Sequence, residues 1–200
     1  MSLDTTDLLP DETVLLSKKA NALIRPDEHG LSRFAFDHLM GTVGMAGQEA
    51  IGGHLYLTSY RLLFKAHAVN RLRGEFSIFL PTIQQVRNAS SGIARKAEIV
   101  TGTQRYTYVV WGVPAVIAAI DRARTALDPA AVARLTSLAV EHPEALGDGL
   151  EVAGGIEAVN RTLTQMTHPF TAAQFDGFAP LSKSTALNLT ELLNLRQDAP

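Results

Sequence analysis

The chain has 200 residues, 46% hydrophobic and 19% charged, with no cysteine and a net charge of −2. That composition suits one packed domain with an appendage, or two small domains, and excludes wholesale disorder. Without cysteine there can be no disulfide framework, thiolate nucleophile or cysteine-based zinc site.

Glu12 to Ile24 reads as a first strand, with Val14, Leu15, Leu16, Ala20, Ala22 and Leu23 as apolar positions and Lys18-Lys19 between them, and the same pattern also admits a helix. Pro26 and Gly30 then break the chain. Leu31, Phe34, Ala35, His38 and Leu39 fall at helical spacing, which predicts a short helix over Ser32 to Met40 with Ser32 as its cap. Gly41 to Gly47 reads as a small-residue loop.

Gly52 to Phe64 predicts an antiparallel hairpin. Leu55 and Leu57 alternate with His54 and Tyr56, Thr58-Ser59 breaks the run, and Leu62 and Phe64 alternate with Arg61, Leu63 and Lys65. A one-residue slip in register would put Arg61 and Lys65 in the core. Further strands are expected over Glu75 to Leu80, Thr82 to Arg87, Lys96 to Thr101 and Arg105 to Trp111. The turns between them fall at Asn88 to Gly92 and at Gly102-Thr-Gln.

The period changes at Val113. Val116, Ile117, Ile120, Ala123 and Leu127 share one helical face, opposite Asp121, Arg122, Arg124 and Thr125. About seven strands followed by one amphipathic helix suggest a sheet bent into a barrel, with the helix closing an open end. Asp128-Pro129 marks a boundary. Helices are expected beyond it over Ala130 to Glu141, Leu150 to Met166 and Ser184 to Leu195, with a loop from His168 to Pro180.

No nucleotide-binding glycine motif, G-x-S-x-G or H-E-x-x-H is present, and the six histidines are scattered. The sequence therefore points to no enzyme, metal or cofactor. The acidic start, Met1 to Thr13, is the opposite of a secretory signal. The longest nearly apolar run, Tyr108 to Ile120, is too short to span a bilayer. A cytoplasmic location is expected.

The pattern Gly53-x-Leu55-x-Leu57-Thr58-x-x-Arg61-Leu62-x-Phe64 resembles the signature of GRAM domains, a branch of the PH-like superfold. Glu12 to Ala22 resembles that family's first strand, Ser77 to Val86 its middle strands, and Val113 to Leu127 its terminal helix. The resemblance covers residues 10–127. It implies an α+β fold in which a PH-like antiparallel β-barrel is plugged by a helix; residues 25–50 depart from it as an insertion, and residues 128–200, a helical extension by their own pattern, have no counterpart in that family. It also implies a binding or adaptor role. The insertion holds only Arg25 and Arg33 as fixed cations, against Asp27, Glu28, Asp37 and Glu49, unlike the basic cluster of headgroup-binding PH domains. The Ala-, Leu- and Arg-leaning usage reads as bacterial.

Charge is unevenly distributed: residues 52–110 carry +6, while 1–51 carry −4 and 128–200 carry −5. A basic middle can face an anionic membrane, as a peripheral protein of the inner surface would, or be neutralised by the acidic flanks. Lys18, Lys19, Arg61, Lys65, Arg71 and Arg73 are the candidate ligand-binding cations, the lysines and the last two arginines as a rim patch. Arg61 has a structural alternative, pairing with Glu75 or Glu98 across the sheet. Arg95-Lys96 reads as a solvated turn, and Tyr108 and Trp111 as core aromatics. Either an anionic phospholipid or a protein segment fits as partner, and nucleic acid does not, with a pI near 6.3. The second functional reading is an assembly protein whose C-terminal helices mediate oligomerisation.

Overall fold

The computed structural model describes residues 3–24, 49–67, 70, 72–146, 149–152 and 183–197. The helix expected at Ser32 to Met40, the loop at 41–47, Arg71, and the chain from 153 to 182 lie outside these residues.

Among the described residues, eight antiparallel strands form one sheet. They are β1 (Val14–Ile24), β2 (Glu49–Thr58), β3 (Arg61–Ala66), β4 (Leu72–Phe79), β5 (Gln85–Asn88), β6 (Lys96–Val100), β7 (Arg105–Val110) and β8 (Gly149–Val152). Their order is β5-β6-β7-β1-β2-β3-β4-β8. The ladder is open, with β5 and β8 at its two edges, where the sequence led us to expect a closed barrel. The antiparallel sheet together with its helices makes the fold α+β, as expected.

One face of the sheet wraps the main core. Alternate residues supply it: Ala20, Ala22 and Ile24 from β1, Leu55 and Leu57 from β2, Leu62, Phe64 and Ala66 from β3, and Tyr106, Tyr108 and Val110 from β7. Gly53 belongs to this face because nothing larger fits there. A side-chain carbon at that position would sit 2.6 Å from the Phe64 ring and meet the Lys65 carbonyl.

Helix α1 (Val113–Thr125) follows β7 through Gly112, whose left-handed φ of 74° makes the turn and which a larger residue would strain. Val113, Val116, Ile120 and Ala123 of α1 enter the core, as the helical period predicts. Helix α2 (Pro129–Glu141) is capped by Asp128, whose carboxylate accepts the Ala131 N–H at 2.7 Å.

The described parts of the C-terminal third pack on the other face of β3 and β4. Leu135 and Ala139 of α2 and Ala186, Leu189 and Leu192 of helix α3 (Lys183–Gln197) are buried there with Leu9, Tyr60, Phe79 and Leu146. The edge of β4 is satisfied in two ways. Its first half, Leu72 to Glu75, pairs with β8. Its second half is met by side chains of α3: Ser77 N–H donates to Thr185 Oγ1 at 3.2 Å and Phe79 N–H to Asn188 Oδ1 at 2.7 Å. The segment at 149–152, expected to open a helix, is thus a strand. Pairing with an open sheet edge outweighs a helical pattern already weakened by Gly154-Gly155.

Candidate functional site

The β2–β3 turn explains the Thr58-x-x-Arg61 spacing. Thr58 Oγ1 accepts the N–H groups of Tyr60 and Arg61, at 3.1 and 2.9 Å, and so holds the turn closed. The same hydroxyl lies 2.6 Å from Glu12 Oε1. Period-two alternation then turns Arg61 away from the main core. It does not reach solvent, because the N-terminal segment and the turn at Pro143–Leu146 cover it.

Arg61 and Glu12 are wholly buried, with side-chain exposure of 0% each. Arg61 Nε donates to Glu12 Oε1 at 2.9 Å, and Nη2 to Glu12 Oε2 at 3.0 Å and the Asp7 carbonyl at 2.6 Å. Nη1 donates to Ser77 Oγ at 2.9 Å and the Ala145 carbonyl at 2.7 Å. A guanidinium has five N–H groups, so none is left for an outside anion. The arginine's partner is Glu12, in place of the expected Glu75 or Glu98.

Lys65 is also engaged. Its ammonium lies 2.5 Å from Asp7 Oδ2 and 3.4 Å from Glu75 Oε2. The second approach lacks hydrogen-bond geometry, and Glu75 Oε2 has no other partner among the described residues. Burial pushes the Glu75 carboxyl above its ordinary range, and the Lys65 charge only partly offsets this. Burial would lower the Lys65 ammonium, but the Asp7 hydrogen bond and the Glu75 charge outweigh it and hold the group above its usual value. Glu98 on β6 holds two further cations, Arg87 at 2.5 Å and Arg105 at 3.6 Å.

Of the other expected cations, Arg73 lies on β4 opposite Glu151, and only its backbone is described. Arg71 is outside the described residues. Lys18 and Lys19 lie on β1 just before Ala20, which pairs with Val110 of β7. Lys19 is exposed and Lys18 half-buried. Trp111 follows Val110, so the antiparallel register brings it level with Lys19. Trp111 is 80% exposed, a correction to its reading as a core aromatic. Tyr108 is buried as expected.

The β5–β6 hairpin ends in a tight turn at the same end of the sheet. Ser91 and Ala94 exchange both backbone hydrogen bonds, at 3.1 and 3.0 Å, around Gly92 and Ile93. Ile93, at the tip, is 99% exposed. Val110 N–H donates to the Arg95 carbonyl at 3.0 Å, which fixes the hairpin beside the end of β7. Arg95 is exposed and Lys96 half-buried. Neither Asn88 to Lys96 nor Val109 to Ile120 contains an acidic residue.

A cleft of about 430 Å³ lies where Leu80 and Pro81 face the end of α1 and Val132. Asp121 and Arg124 line it, 3.5 Å apart. No cluster of metal-ligating side chains occurs among the described residues, and no described helix is long and apolar enough to cross a membrane.

No protein-family model and no curated protein matches this chain. The solved structures similar to it include the following two. The C-terminal domain of an unknown protein from Leishmania infantum is 16% identical at a TM-score of 0.40, over 58% of this chain and 87% of that one. The Vps36 N-terminal PH domain is 15% identical at a TM-score of 0.38, over 59% of this chain and 86% of its own. Likenesses this distant say nothing of what this chain binds.

Proposed function

We propose that the chain is a non-enzymatic binding module of GRAM type that docks on an anionic membrane surface through the basic end of its sheet. The division among its cations carries this reading. Arg61, Lys65, Arg87 and Arg105 have acidic partners at 2.5 to 3.6 Å. Lys18, Lys19, Arg95 and Lys96 have none among the described residues. A cation held near an anionic surface contributes on the order of 1 kcal/mol, and the attraction fades over about 10 Å at 0.1 M salt.

The four cations line a strand and a hairpin and do not converge in a pocket, which suits a broad anionic surface better than one small anion. Residues 10–127 would carry this role, and the described parts of 128–200 would brace the opposite face of β3 and β4. The assembly reading has less support. The apolar residues Leu135, Leu189 and Leu192 of α2 and α3 are already buried within this chain.

Co-sedimentation with vesicles tests the reading. The protein should pellet with vesicles containing phosphatidylserine or phosphatidylglycerol at low salt, and should not pellet with neutral phosphatidylcholine. The Lys18→Glu, Lys19→Glu, Arg95→Glu, Lys96→Glu variant should stay in the supernatant. A wild-type protein that ignores anionic vesicles, or a variant that binds as well as wild type, overturns it.

A further inference from the structure

Two large apolar side chains stand exposed among these same cations. Trp111 directly follows β7 and Ile93 forms the tip of the β5–β6 turn, 80% and 99% exposed. The Val110–Arg95 hydrogen bond ties the two elements together at one end of the sheet. Neither residue has a packing role that explains it. Tyr106, Tyr108 and Val110 fill the core face of β7, and Trp111 lies one step beyond on the opposite parity. Ile93 sits in a two-residue turn, where polar or small residues ordinarily face water.

From this we infer that Trp111 and Ile93 are bilayer anchors, which enter the interfacial region of the membrane while Lys18, Lys19, Arg95 and Lys96 hold the lipid headgroups. The inference rests on the proposed membrane docking and adds insertion to it. Charge and shape both favour a lipid bilayer as the occupant. The surrounding segments hold cations and no carboxylates, so they complement an anionic surface. An apolar side chain projecting from a hairpin tip needs a medium that yields around it, whereas a protein partner would need a matching cavity. Indole, with its apolar body and one N–H donor, favours the membrane–water boundary.

Trp111 is the one tryptophan of the chain, so its emission reports on this position alone. On titration with phosphatidylserine vesicles the emission should move to the blue, and brominated acyl chains should quench it. Inorganic phosphate and soluble inositol phosphates should leave it unchanged. The Ile93→Ser variant, at an exposed turn where folding should not suffer, should bind the vesicles roughly tenfold more weakly. Its residual binding should also be abolished by salt more readily than that of wild type. Salt-sensitive binding with unshifted, unquenched emission and an unchanged Ile93→Ser affinity would overturn insertion and leave surface docking standing. No binding to any vesicle would overturn both.

Discussion

Glu12 and Arg61, 49 positions apart, form a bidentate ion pair with no solvent exposure. Every polar atom of the pair is used. Besides the arginine, the carboxylate accepts the Leu9 N–H at 2.7 Å and lies 2.6 Å from the Thr58 hydroxyl. The arginine ties the N-terminal segment, β4 and the turn before β8 to one point. The most specific residues of the hairpin motif are thus explained as structure. Thr58 closes a turn, Gly53 admits the Phe64 ring, and Arg61 anchors the covering segments.

Replacing one member of such a pair leaves an unpaired buried charge. Arg61→Met should destabilise the protein by about 3–5 kcal/mol in urea unfolding, and the Glu12→Gln, Arg61→Met double variant should recover part of that loss. A double variant as unstable as the sum of two singles would show that the pair is not coupled.

The Glu75 carboxyl has its folded-state pKa raised by burial. In the window above its ordinary value of 4.5, the folded protein therefore binds more protons than the unfolded chain. This group's contribution to stability then falls as pH rises through that window, and at neutral pH its ionised form is a cost. Glu75→Gln should leave stability at pH 7 equal or higher, and should flatten the dependence on pH between about 4.5 and 7. Since Asp7 still holds Lys65, the lysine should remain in place. A variant markedly less stable at pH 7 would contradict this assignment.

Asn188 joins α3 to the edge of β4. It accepts the Phe79 N–H at 2.7 Å and donates to Thr82 Oγ1 at 2.7 Å and to Glu191 Oε2 at 2.8 Å. Asn188→Leu would leave a buried N–H without a partner, at a cost of about 1–3 kcal/mol. Hydrogen exchange should show Phe79 losing protection while the amides of β2 keep theirs. Unchanged protection at Phe79 would mean that another group supports that edge.

Much of this architecture was legible because period-two and period-3.6 patterns are local. The alternation of Leu62 and Phe64, and of Tyr106, Tyr108 and Val110, gave the strands, and Val116, Ile120 and Ala123 gave α1. The same alternation could have placed Trp111 outside, since it follows Val110 on the opposite parity; its aromatic character suggested the core instead. What could not be read was long-range. Nothing near Arg61 points to Glu12, and nothing in Gly149–Val152 shows that an open β4 edge awaits it. The exposed basic end required the register of β1 against β7, whose last pair, Ala20 and Val110, stands next to Lys19 on one strand and Trp111 on the other.

The central claim is that cations without an internal acidic partner do the docking. Two double variants with the same net charge test it: Arg95→Gln, Lys96→Gln at the basic end, and Arg87→Gln, Arg105→Gln around Glu98. The measurement is affinity for phosphatidylserine vesicles at fixed low salt. The first variant should lose about 2 kcal/mol, at roughly 1 kcal/mol per surface charge, while the second should keep most of its binding. Equal losses would show that only overall charge matters, and would contradict the assignment of a basic docking end.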